Sequence, residues 1–147
     1  MEHHASTAAA ASPEQVWALL VDVERWPEIT KSISTARRVD EGPLRVGSEA
    51  IIEQPRLPRA RWRVTELEPG HSFTWETSAR GLTTVGGHIV DPDSQGSRLT
   101  LTLSMHGPLA RPLYALTSRL SRRYLTMEME GFRRTAESAP DTSTGTS

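Results

Sequence analysis

Four clusters of turn-forming residues cut the middle of this 147-residue chain into pieces of strand length. They are Asp40-Glu41-Gly42-Pro43, the segment from Gln54 to Pro58 with its two prolines, Glu68-Pro69-Gly70, and the run from Asp91 to Gly96. Glycine and proline at this density set turns and stop helices. Between the clusters, Trp62, Val64 and Leu67 lie in the run from Ala60 to Leu67, and Phe73 and Trp75 alternate with polar neighbours. Leu99, Leu101 and Leu103 alternate with Thr100, Thr102 and Ser104, the period of a half-buried strand. Consecutive antiparallel strands on short turns make a meander with one apolar face, and that face needs a cover.

The C-terminal segment supplies the cover. Opened by Gly107-Pro108, it reads as one long helix, with Leu109, Leu113, Leu116, Leu120, Tyr124 and Met127 at three- and four-residue steps. Arg111, Arg119, Arg122, Arg133 and Arg134 fall on other faces, and for the cluster of Arg119, Arg122 and Arg123 with Arg133 and Arg134 a solvated surface is a better explanation than a nucleic-acid or membrane patch, because Glu128, Glu130 and Glu137 interrupt it. At the other end, Ser12-Pro13-Glu14 is a helix start: a hydroxyl cap, a proline where the missing N–H costs nothing, and an acid in the first turn. Val16, Trp17, Leu20 and Val21 continue it over 13–22, and Trp26-Pro27 marks a stop. The small residues before Ser12 then read as an extended strand. One domain over 1–137 is expected, followed by a disordered tail over 138–147, which is small, polar and has nothing to bury.

Composition excludes several kinds of chemistry. There is no cysteine, hence no disulfide, thiolate nucleophile or cysteine-bound zinc. A net charge of -1 gives no electrostatic case for nucleic acid. The sequence has no window approaching the ~18 apolar residues of a membrane span and no leader-like start, so a cytoplasmic location without integral membrane association is expected. The scattered histidines lack metal-ligand spacing, and neither a metal nor another cofactor is expected. Oligomeric state is not readable.

The local phrases Ala11-Ser12-Pro13-Glu14-Gln15-Val16-Trp17, Asp22 to Trp26-Pro27, Val46-Gly47-Ser48, Val64 to Glu68-Pro69-Gly70 and Gly96-Ser97-Arg98-Leu99-Thr100 occur in this order. In that order the chain resembles the SRPBCC superfamily, the START-related helix-grip group, and most of all its polyketide cyclase/dehydrase branch. The resemblance implies an α+β fold: a curved antiparallel sheet of about seven strands wrapped around a long C-terminal helix, with two short helices after the first strand. It also implies a cavity between sheet and helix, but no particular reaction, because members carry lipids, sequester metabolites or cyclise polyketides.

Candidate site residues follow from that cavity. A cyclase must move protons at enolisable carbons inside an apolar space. His88, mid-strand beside Gly86 and Gly87, where missing side chains would leave room for a ligand, is the first candidate for the proton-transfer group, and Glu53 the second. Against these stand a core histidine and a solvent-facing strand carboxylate. Trp26, Ile51, Trp62, Phe73, Trp75, Leu101, Leu113, Leu116, Leu120 and Tyr124 are the expected ligand-binding lining, with plain core as the competing reading. The Tyr124 hydroxyl is free to meet a ligand oxygen, and the Pro55–Arg59 connection is a candidate pocket mouth. His3 and His4 are expected to be frayed, and His71 and His106 exposed. The leading functional expectation is a carrier or sequestering protein for an apolar or aromatic, lipid-like or polyketide-like molecule. The alternative is a polyketide cyclase or dehydratase acting by general acid/base catalysis, and a third reading is action through a partner rather than a pocket.

Overall fold

The computed structural model describes residues 1–138. The chain opens with strand β1 (Glu2–Ala9), then helix α1 (Pro13–Val21), a 3-10 turn over Val23–Arg25, and helix α2 (Trp26–Ile29). Six strands follow, β2 (Thr35–Arg38), β3 (Glu49–Glu53), β4 (Ala60–Glu68), β5 (Ser72–Ala79), β6 (Leu82–Asp93) and β7 (Gly96–His106), and then helix α3 (Ala110–Ser138). The sheet order is β1-β7-β6-β5-β4-β3-β2, antiparallel throughout. Consecutive strands from β2 to β7 pair as a meander, and β1 closes onto β7. This is the expected helix-grip fold, a seven-stranded sheet with two short helices after its first strand and a long helix across its inner face. The tail expected from Ser138 onward lies outside the described residues, except that Ser138 itself is the last residue of α3.

The signals for α1 act as their chemistry requires. Ser12 Oγ accepts from the Gln15 backbone N–H at 3.2 Å while Gln15 Oε1 accepts from the Ser12 N–H at 2.8 Å, a reciprocal cap on two otherwise unpaired donors. Trp26-Pro27 does not simply stop the chain from being helical. Proline stands in the first turn of α2, where its missing N–H is tolerated.

The core fills one end of the grip. Val16, Leu20 and Val23 from the first helical segments meet Phe73, Val90 and Leu99 from the sheet and Phe132 from α3, all nearly inaccessible. Gly131 permits this closure: a Cβ there would collide with the carbonyl oxygen of Ile29 and stand 3.1 Å from its carbon, so α3 rests against the backbone of α2. Toward its N-terminus α3 lies over strands whose inner residues leave open space beneath it.

Two expectations fail here for traceable reasons. The N-terminus is not frayed: β1 begins at Glu2 and pairs along its length with β7, so His3 is buried and stacks on Tyr114 with ring centroids 4.8 Å apart. The stripe read on α3 is rotated from the real one. Leu116 is 81% exposed, and the face turned to the sheet runs through Leu113, Thr117, Ser121, Tyr124, Leu125, Glu128 and Phe132. Steps through Leu116 and Leu120 or through Thr117 and Ser121 both reach Tyr124, and hydrophobicity favours the wrong pair.

Candidate functional site

A cavity of about 410 Å³ lies between the sheet and the N-terminal two-thirds of α3, within the ~300–1,000 Å³ typical of small-molecule sites. Its walls are built by strand alternation. Trp62 on β4, Trp75 on β5, Gly86 and His88 on β6, and Leu101 and Leu103 on β7 all point to the inner face. Trp26 and Ile33 close one side, the Gln54–Arg59 connection another, and Leu113, Thr117, Ser121, Tyr124 and Glu128 descend from α3.

Three tryptophans form a continuous aromatic wall. Trp75 meets Trp62 at 5.5 Å between centroids and Trp26 edge-on at 5.2 Å. Trp75 can lie close over β6 because residue 86 has no side chain: a Cβ there would be 3.2 Å from its indole nitrogen. The room beside Gly86 is therefore taken by the protein's own indoles. Gly87 belongs to the opposite face, where the Thr102 hydroxyl occupies the corresponding space.

His88 is buried and lines the cavity. Its ring stacks on Phe73 at 4.1 Å and 12°, and its Nδ1 lies 3.2 Å from the Phe73 carbonyl oxygen. A carbonyl only accepts, so Nδ1 carries the proton and Nε2 holds a lone pair. Desolvation lowers the pKa to about 4, with the bond to Phe73 opposing it, so the imidazole is neutral at physiological pH.

The second ionisable group of the interior is Glu128, which charge patterning assigns to the solvated side of α3. It lines the cavity, and Ser32 Oγ donates to its Oε2 at 3.4 Å. Ser32 in turn lies 2.8 Å from the Thr30 hydroxyl, and both are buried. Burial raises the Glu128 pKa to about 7, with the Ser32 bond only partly opposing it. No basic side chain forms an ion pair with it among the described residues. The available signal was its spacing, one turn beyond Tyr124.

Of the residues expected to line a site, the structure brings together Trp26, Trp62, Trp75, His88, Leu101, Leu113 and Tyr124. Phe73 is fully buried beneath His88 and serves as its platform rather than as cavity surface. Ile51 and Glu53 do not line the cavity: the inward positions of β3 are the buried Ala50 and Ile52, so alternation turns Ile51 and Glu53 outward. Leu116 is in solvent and Leu120 also misses the cavity. The Tyr124 hydroxyl is already engaged, donating to the carbonyl oxygen of Pro55, and so ties α3 to the connection at the cavity rim. That connection turns through Pro55 and Arg56, with Leu57 N–H bonded to the Gln54 carbonyl and Arg56 at a φ of 68°. His71 bridges Glu68 and Asp91 on the surface, and His106 is exposed. Among the described residues no three His, Asp or Glu side chains are grouped to hold a metal ion, and no helix is long and apolar enough to cross a membrane.

A seven-stranded antiparallel sheet closed by a long C-terminal helix defines the helix-grip class of domains. Residues 2–137 match the family model described as polyketide cyclase / dehydrase and lipid transport, and the chain belongs to that family, within the SRPBCC superfamily. No curated protein matches the sequence. Among solved structures it is similar to ginseng major latex-like protein 151 from Panax ginseng, at 15% identity, with 95% of this chain and 98% of that one covered and a TM-score of 0.76. It is also similar to the protein TTHA0849 from Thermus thermophilus, at 18% identity over 95% of this chain and 100% of that one, TM-score 0.74. The di-domain ARO/CYC BexL from the BE-7585A biosynthetic pathway matches at 17% identity and a TM-score of 0.69, covering 89% of this chain and 46% of BexL. At these identities the likeness is one of fold.

Proposed function

We propose that this protein binds an apolar, aromatic-bodied small molecule in the cavity under α3, as a carrier or sequestering protein. The observation that carries the reading is the wall of Trp26, Trp62 and Trp75 around about 410 Å³ of space whose surface is mostly apolar. Flat apolar molecules gain both area burial and ring contacts there. A thermal-shift and native-mass screen across sterols, fatty acids and fused-ring aromatics tests it. A ligand at about a hundred times its Kd stabilises the fold by about 2.7 kcal/mol, which a melting curve detects. Absence of stabilisation by every class overturns the proposal.

A second reading, cyclisation or dehydration of a poly-β-keto chain, is favoured by the presence of a proton acceptor, His88 Nε2, and a carboxyl, Glu128, on the same cavity. Glu128 replaces Glu53 as the carboxyl in this reading, and its pKa of about 7 suits proton transfer near neutrality better than that of His88, at about 4. Incubation with a poly-β-keto thioester tests it, and identical products with wild type and the Glu128→Gln and His88→Ala variants exclude it.

A further inference from the structure

The strongest unexplained feature of the cavity is a carboxyl group with nothing to pair with. Glu128 projects from the sheet-facing side of α3, and its one hydrogen bond among the described residues is the long contact to Ser32. The hydroxyl chain behind it has a single consistent polarity. The Ser32 hydroxyl has one proton and donates it to Glu128, so across the 2.8 Å contact it accepts from the Thr30 hydroxyl, while Thr30 Oγ accepts from the Ser32 backbone N–H at 3.2 Å. That chain holds one carboxyl oxygen and leaves the other, Oε1, without a partner among the described residues. A structural carboxylate in such a place is ordinarily met by an arginine, and this chain has many, but the arginines that reach the cavity are elsewhere: Arg61 on β4 pairs with Glu49, and Arg59 stands exposed in the connection before it.

The cavity that the carboxyl lines is walled by aromatic rings. Trp26 lines the same cavity and packs edge-on against Phe132, one helical turn from Glu128, with centroids 5.5 Å apart. An acceptor that can be anionic, on a cavity walled by indoles, suits a ligand nitrogen that carries a positive charge. The carboxylate takes its N–H, and the ring faces attract the charge. The other ionisable groups on the cavity do not compete for a cation: His88 from β6 is neutral, Tyr124 is bonded to Pro55, and the two arginines repel it.

Resting on the reading that the cavity takes an aromatic small molecule, we propose that Glu128 is its specificity-determining anchor and that the ligand class is an aromatic or fused-ring amine. An anionic ligand of the same body is disfavoured by the same carboxylate.

The test uses three compounds of one shape: naphthylethylamine, naphthylethanol and naphthylacetate, titrated calorimetrically into the full-length protein at pH 8, where Glu128 is largely ionised. The amine is expected to bind about tenfold or more tighter than the alcohol, and the acid weakest. Glu128→Gln is expected to bring the amine down to the affinity of the alcohol, with folding checked by circular dichroism. Equal binding of amine and alcohol to the wild type overturns the proposal without any variant. Tighter binding of the acid overturns it in favour of Arg59 as the anchor. If the alcohol binds and only the amine preference is missing, the aromatic-ligand reading survives; if none of the three binds, both fail.

Discussion

His88 lies flat on the ring of Phe73, centroids 4.1 Å apart, while its Nδ1 donates to the carbonyl of that same residue. One neighbour thus fixes both the plane and the tautomer of the imidazole. The unfolded chain takes up a proton on this side chain near pH 6.5 and the folded protein only near pH 4. Between those values the unfolded state binds more protons, so the contribution of His88 to stability is full above about pH 6.5 and is lost as pH falls toward 4. The shift corresponds to about 3 kcal/mol. Urea unfolding of wild type and His88→Gln at pH 7.5 and pH 4 is expected to show the wild-type advantage shrinking by about that amount. A pH-independent difference would mean that the ring is not desolvated.

Glu128 produces the opposite slope. Its carboxyl ionises near pH 4.5 when unfolded and near pH 7 when folded, so over that interval the folded state keeps the proton and stability falls as pH rises. The penalty is absent below pH 4.5 and complete above pH 7. Because the side chain keeps some contact with the open cavity, about 2 kcal/mol is expected rather than the full shift. Glu128→Gln is therefore expected to gain on wild type between pH 4.5 and pH 8 in the same unfolding measurement. A gain that does not depend on pH would assign the effect to packing instead. The two groups offset each other between about pH 4.5 and 6.5, so single variants reveal slopes that partly cancel in the wild type.

The sequence draws attention to one of these two groups and passes over the other, and the difference is physical. His88 stands out because two glycines, Gly86 and Gly87, precede it mid-strand. Glu128 is one of several charges on a long helix, and nothing local separates a carboxylate facing a cavity from one facing water. The same limit rotates the α3 stripe: Thr117 and Ser121 face the interior because a cavity tolerates hydroxyls that a close-packed core would not. On β3, Ala50, Ile51 and Ile52 are all apolar, so alternation cannot choose a face, and a one-residue error sends Glu53 to the wrong side. Where patterning is unambiguous, as in the Leu99–Leu103 alternation or the Ser12 cap, strand and helix stand where expected.

The rim of the cavity stores strain that a substitution can release. Gln54-Pro55-Arg56-Leu57 is a turn in which the third residue has positive φ, a position suited to glycine and occupied by Arg56 at 68°. Left-handed geometry costs a side-chain-bearing residue about 1–2 kcal/mol, and glycine gives back part of that through its greater freedom when unfolded. Arg56→Gly is expected to stabilise by about 0.5–1 kcal/mol. Tyr124→Phe is expected to cost about 1 kcal/mol, because it removes the hydroxyl that holds the same turn through Pro55. A double variant in denaturant unfolding shows whether the two effects couple: additive energies would mean that the hydroxyl does not hold the turn in its strained form.

Gly131 offers a test of how α3 is seated. In an isolated helix, alanine is better than glycine by about 1 kcal/mol, so propensity alone predicts that Gly131→Ala stabilises. The structure predicts the reverse. The added Cβ would meet the Ile29 carbonyl, a backbone group with no rotamer to escape into, and relief requires α3 to lift from α2. Lifting α3 also loosens Phe132 from Trp26 and moves the Glu128 end of the cavity. Net destabilisation of about 2 kcal/mol is expected, a several-degree fall in Tm for a domain of this size, together with weaker ligand binding. A rise in Tm would show that the helix has room at this point, and that the core end of the grip is looser than the Gly131–Ile29 approach implies.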